Sequence, residues 1–98
     1  MLLQFAMVTY DENKRQENIA THGLDFVGCE AIFDGPVFSK YDDREFYGEQ
    51  RINLLGFLNG VVVHMTYTEL GEDMHVISLR KAEKHEIYTF AKRLSRYR

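Results

Sequence analysis

The chain has 98 residues, 45% hydrophobic and 28% charged, which suits one domain spanning 1–98 around a single core. A net charge of −3 argues, taken alone, against a nucleic-acid partner. No apolar run approaches the roughly 20 residues that span a bilayer, Met1–Met7 lacks the basic lead-in of a signal peptide, and the lone Cys29 cannot close an internal disulfide, so a cytoplasmic protein is expected.

Leu2–Thr9 is short and apolar, and Val8 and Thr9 favour extended backbone, which predicts a first strand. Asp11 is placed to cap a helix over about Glu12–Thr21, with Glu12 at the positive end of its dipole. Only Ile19 and Ala20 in that helix are apolar, so it is expected on the surface, ending at His22-Gly23 with Gly23 in the left-handed region. Asp25 would cap a second helix, Phe26–Phe33, whose Phe26, Cys29, Ile32 and Phe33 share one face. On that face Cys29 reads as a small core residue and not a nucleophile. Pro36 prevents the helix from continuing. Val37–Ser39 forms a short strand before a charged loop, Lys40–Gly48.

The pattern then becomes regular. Glu49–Leu58 reads as a strand, Asn59-Gly60 as a type I′ turn, and Val61–Glu69 as the returning strand. A loop at Gly71-Glu72-Asp73 leads to a third strand, Met74–Arg80. The last helix, about Ala82–Tyr97, sets Ile87, Phe90, Ala91, Leu94 and Tyr97 on one stripe and Lys84, His85, Lys92, Arg93 and Arg96 on the other side. The fold class is α+β: an antiparallel meander of three long strands with short N-terminal strands, two N-terminal helices and one C-terminal helix. Residues 80–98 hold seven Lys or Arg against two Glu, whereas residues 1–79 hold five against thirteen Asp or Glu. The basic end is either a solvated helix face or a surface for phosphates or an acidic partner.

The turn sets a register. If Leu58 pairs with Val61, then Leu55 faces His64, Asn53 faces Thr66 and Arg51 faces Thr68 on one sheet face. Ile52, Leu54, Leu58, Val61, Val63, Met65 and Tyr67 take the core face. With Ile77 and Leu79 also facing the core, Ser78 and Arg80 join the polar face, and Arg80 falls beside Arg51. Such a face is either ordinarily solvated or able to grip phosphate oxygens and stabilise a pentacoordinate phosphorus. The four histidines lie on different elements without zinc-site spacing, so no metal is expected, and no Gly-rich phosphate loop or nucleophile elbow occurs.

Motifs along nearly the whole chain carry a resemblance. Tyr10-Asp11-x-x-Lys14, Asn18-x-x-Thr21-His22-Gly23-Leu24-x-Phe26, Phe33-Asp34-Gly35-Pro36, Glu49-Gln50-Arg51, Leu55-Gly56, Tyr67-Thr68-Glu69 and Ile77-Ser78-Leu79-Arg80-Lys81-Ala82 follow one another. Their order and spacing resemble the BrnT toxins of bacterial type II toxin–antitoxin systems. The resemblance implies a RelE-like fold, ribonuclease activity that arrests translation, no cofactor, and neutralisation by a BrnA-like ribbon-helix-helix antitoxin. Operator DNA would be bound only through that antitoxin, in a hetero-oligomer. Tyr10 stands where the family has Trp, Thr21 where it has Lys, Gly35 for Asp, and Leu79 for Ala. Leu70 occupies a position that is usually basic.

Register and resemblance together point to Arg51 and Arg80 as binders of the scissile phosphate. Attack by an RNA 2′-hydroxyl also needs a base and an acid. His22 has the family position, though it equally suits a plain helix C-terminus; His64 and Tyr67 are the further candidates. Lys81, Lys14, Tyr67 and Ser78 complete the expected RNA-binding set. The loss of charge at the departing positions leaves open a second reading, a protein-binding module that serves the antitoxin without turnover.

Overall fold

In a computed structural model the residues described are 5–44 and 48–96, so Leu2–Gln4 of the first strand, Glu45–Tyr47 of the charged loop and Tyr97 lie outside them. Extended Val8–Thr9 forms β1. Asp11 then caps α1, Glu12–His22, by accepting the Lys14 N–H at 3.1 Å. Gly23 ends the helix at φ 71°, as a left-handed C-terminal residue should.

The second expected α-helix does not form. Gly28 takes φ 84° and interrupts the run after Val27, leaving a 3-10 helix over Cys29–Asp34. Its apolar positions keep their burial all the same: Phe26, Cys29, Ile32 and Phe33 are all in the core. Asp25 accepts the Val27 N–H at 2.9 Å while Arg15 grips both its oxygens at 2.7 and 2.9 Å, so α1 holds this turn in place. Burial pushes the Cys29 thiol up to about 12, which leaves it unreactive.

Four strands follow: β2 Val37–Asp42, β3 Arg51–Leu58, β4 Val61–Leu70 and β5 Asp73–Lys81. Strand β2 runs further than its sequence suggests because it pairs antiparallel with β3 from Val37↔Gly56 to Asp42↔Arg51. The sheet order is β1-β5-β4-β3-β2, and β1 lies parallel to β5, so the sheet is mixed and not a purely antiparallel meander. Thr9 Oγ1 meets His75 Nδ1 at 2.8 Å and ties that edge. Asn59 and Gly60 both have positive φ, as a type I′ turn requires, and the β3–β4 register is the expected one from Leu58↔Val61 to Arg51↔Thr68.

One expectation on β5 changes. Thr66 pairs with Ser78, yet Tyr67 pairs with Val76, so Ile77 is an extra, bulged residue. The bulge shifts the alternation, and Met74, Val76 and Leu79 are all buried in the core while Ile77 is not. Ser78 and Arg80 still reach the polar face.

Helix α1 buries no apolar side chain completely, in keeping with its polar sequence. It docks through Asn18, 6% exposed, which donates to Leu79 O and Leu24 O at 2.8 Å each and accepts the Leu79 N–H at 3.1 Å. Strand β1 pairs with β5 only at Met74 and His75, and the amide satisfies the edge beyond.

Helix α2, Lys84–Ser95, crosses the opposite sheet face at its apolar end. Phe90 is buried and meets Phe57 edge-on with ring centroids 5.3 Å apart, and the Arg93 guanidinium lies 4.5 Å over the Phe38 ring. Ile87 is 43% exposed and Ala91 is exposed, so the expected stripe meets the sheet mainly through Phe90 and Leu94. Among the described residues no helix is long and apolar enough to cross a membrane.

Candidate functional site

The face under α2 is graded by row. Phe38, Leu55, His64 and Arg80 lie across four strands beside the helix; Lys40, Asn53, Thr66 and Ser78 form the next row; Asp42, Arg51, Thr68 and His75 lie farthest away. A cleft of 560 Å³ opens between β2, this face and the first turn of α2. Lys40, Asp42, Arg44, Asn53, His64, Arg80, Glu83, His85 and Glu86 all line it.

Arg80 is fixed at one wall. Its Nη1 donates to Glu86 Oε1 at 2.8 Å and its Nη2 to Glu86 Oε2 at 3.0 Å, a fork that matches the planar guanidinium. Nη1 also donates to Lys81 O at 3.2 Å. A guanidinium has five N–H donors, so two remain for an anion. Glu86 Oε1 accepts the Glu83 N–H at 2.8 Å as well, one half of the capping box that starts α2. One carboxylate therefore starts the helix and aims the arginine. Hydrogen bonds from Arg80 hold the Glu86 carboxyl down at about 2, and Glu86 in turn raises the Arg80 pKa.

His64 rises from the floor of the cleft. Its Nε2 lies 4.0 Å from Glu86 Oε2, its side chain is 15% exposed, and its buried Nδ1 has no hydrogen-bond partner among the described residues. Burial lowers its pKa, the Arg80 charge lowers it further, and Glu86 only partly opposes them. These effects favour the neutral imidazole. Across the cleft Arg44 grips both oxygens of Asp42 at 2.8 Å, which holds that carboxyl well below its usual range. Thr66 Oγ1 donates to Asn53 Oδ1 at 2.7 Å and fixes the middle row.

The expected site residues scatter around this cleft. Arg80 lines it, but Arg51 does not. The register that brings both to one face also sets them four residues apart along the strands, about 13 Å. Arg51 instead lies 3.5 Å from Glu49. Ser78 sits half-buried in the middle row. Lys81 follows the alternation onto the face of Leu79, away from α2, and is exposed. His22 is exposed at the end of α1 outside the cleft, and Lys14 is exposed 3.6 Å from Glu17. Tyr67 is 5% exposed in the core, with Phe5 and Phe33 edge-on to it, so no RNA base can reach it. Tyr10 likewise packs on Phe26 at 5.8 Å, which gives the family's aromatic position a packing role here.

Glu86, His85, Asp42 and Arg44 were not anticipated. The available signal was Glu83-x-x-Glu86 just after Arg80, a capping box whose second carboxylate starts a helix at the end of a cationic strand. Ligand atoms of Glu83, His85 and Glu86 lie within 4.8 Å of one another, but a cation there would compete with Arg80 for Glu86.

A family described as the ribonuclease toxin, BrnT, of type II toxin-antitoxin systems matches residues 10–86. No individual curated protein matches the sequence significantly.

Proposed function

The chain belongs to the BrnT family of ribonuclease toxins, whose partner is an antitoxin, and from that premise we propose that the α2 cleft is where RNA is cleaved. In this reading an RNA 2′-hydroxyl attacks the adjacent phosphorus without a metal, giving a 2′,3′-cyclic phosphate and a 5′-hydroxyl. The carrying observation is the pairing of a preorganised guanidinium with a half-buried imidazole in one cleft. The two remaining donors of Arg80 hold the non-bridging oxygens as charge develops on phosphorus. His64 Nε2 takes the 2′-hydroxyl proton. Ser78 and Arg51 extend the path, and Arg51 holds a flanking phosphate in place of the scissile one. His22, Lys14 and Lys81 lie outside the cleft and have no part in proton transfer. The resemblance supports the finer points: a RelE-like arrangement, translation arrest, and a BrnA-like ribbon-helix-helix antitoxin that forms the hetero-oligomer and carries operator binding.

A second reading, antitoxin binding without turnover, draws on the same Arg80–Glu86 pair, because Glu86 neutralises the guanidinium. Purified toxin freed of its antitoxin decides between them. Cleavage that yields cyclic phosphate ends, persists in chelator and is lost in Arg80→Ala supports the first reading. Intact RNA, or equal cleavage by Arg80→Ala, overturns it.

A further inference from the structure

Transphosphorylation moves two protons, and His64 accounts for one. The oxygen that leaves, O5′, must gain a proton as its bond to phosphorus breaks, or an alkoxide has to depart unaided. Attack is in line, with O2′ entering opposite O5′, so base and acid approach the phosphate from different sides. The group that anchors the phosphate belongs between them.

We propose that His85 is the general acid of this cleft, protonating the 5′-oxygen of the RNA as it leaves; the inference rests on the cleavage reading above. His85 is the second residue of α2, is exposed, and lines the same cleft as Arg80 and His64. One of its ring nitrogens lies within 4.8 Å of oxygens of both Glu83 and Glu86. Glu86 in turn bonds Arg80 at 2.8 and 3.0 Å and lies 4.0 Å from His64 Nε2. Two imidazoles thus lie close to one arginine–carboxylate pair. The first comes from the sheet and is half-buried; the second comes from the helix and is open to solvent.

The step balances. The O2′–H proton passes to His64 Nε2 as the O2′–P bond forms; the P–O5′ bond breaks and O5′ takes a proton from the His85 imidazolium. His64 ends charged and His85 neutral, and water restores both. Glu86 acts through the other groups: with both oxygens on Arg80 it is a positioning residue, and its low pKa makes it a poor base.

The test uses an oligoribonucleotide with one 5′-bridging sulfur at the scissile bond, since a thiolate leaves without protonation. Ordinary RNA should be cleaved about 10²–10³-fold more slowly by His85→Gln, while the sulfur substrate is cleaved within a few-fold of wild type. His64→Gln should be slow on both. Because His85 is exposed, H85Q should fold, and circular dichroism checks that it does. If H85Q cleaves ordinary RNA at the wild-type rate, or is equally slow on both substrates, the acid role is overturned. Wild-type protein that leaves ordinary RNA intact overturns the cleavage reading and this inference together.

Discussion

At the scale of single residues the proposed chemistry turns on two side chains with opposite demands. Arg80 needs a fixed plane, which a lysine cannot supply, so Arg80→Lys should lose about 10²–10³ in kcat despite keeping its charge. Single-turnover cleavage rates check this. His64 must be neutral to accept a proton, and burial together with Arg80 lowers its pKa. The acid limb of the rate profile, where this ring protonates, should therefore lie below the ordinary histidine value of 6.5. A pH profile of kcat/KM with its acid limb at or above the ordinary value would contradict that. Of these two residues the sequence yielded the face and not the neighbours. Alternation placed Arg80 and His64 together, but the same alternation could not tell that Arg51 lies two alternations away. The carboxylate that aims Arg80 comes from a helix whose docking no strand pattern describes.

Among the elements, α1 and β5 show where polar contacts replace apolar ones. Asn18 makes three hydrogen bonds at a buried edge, so Asn18→Ala should cost about 2–4 kcal/mol by stranding the Leu79 N–H and two carbonyls. Urea denaturation should show the lower midpoint. A helix with a single buried amide looks entirely solvated to hydrophobic periodicity, and for that reason Asn18 was not legible as an anchor. Gly56 is a second close approach. A Cβ there would lie 2.7 Å from Ile32 Cγ1 and 3.1 Å from Val37 Cγ1. Gly56→Ala should therefore destabilise by about 1–3 kcal/mol in the same assay. By contrast the β3–β4 register was legible, because Asn59-Gly60 commits the turn and the turn commits the pairs behind it, although β3 begins at Arg51 and not Glu49, and Val61, expected on the core face, is 43% exposed. The 3-10 segment was half legible: its spacing predicted burial correctly, while Gly28 decided the backbone.

For the molecule as a whole, several carboxylates are held below their ordinary range. Glu86 and Asp25 sit at about 2 through Arg80 and Arg15, and Asp42 is lowered by Arg44. Their folded values lie under their unfolded ones, so the stability they supply is complete above roughly pH 4.5 and is lost as pH falls through the folded values. Thermal midpoints should fall modestly below pH 6.5, where His64 protonates more readily in the unfolded chain than in the folded one, and drop steeply from about pH 4.5 toward pH 2; a flat curve throughout would refute this. Helix α2 should loosen at the end of that drop, near pH 2, since protonating Glu86 removes its cap and its tie to Arg80 together. The overall α+β architecture and the extended Val8–Thr9 were legible from turns and apolar runs, whereas the parallel pairing of β1 with β5 was not, because two residues on a sheet edge carry no register. Finally, the bulge at Ile77 divides β5 into two half-strands of opposite parity. The first half keeps Met74 and Val76 inside, and the second keeps Leu79 inside with Arg80 outside. Deleting Ile77 itself would leave Val76, Ser78, Leu79 and Arg80 in plain alternation, with Val76 and Leu79 inside and Arg80 outside, so the strand can lose its bulged residue, whereas losing any other single residue would turn one half over.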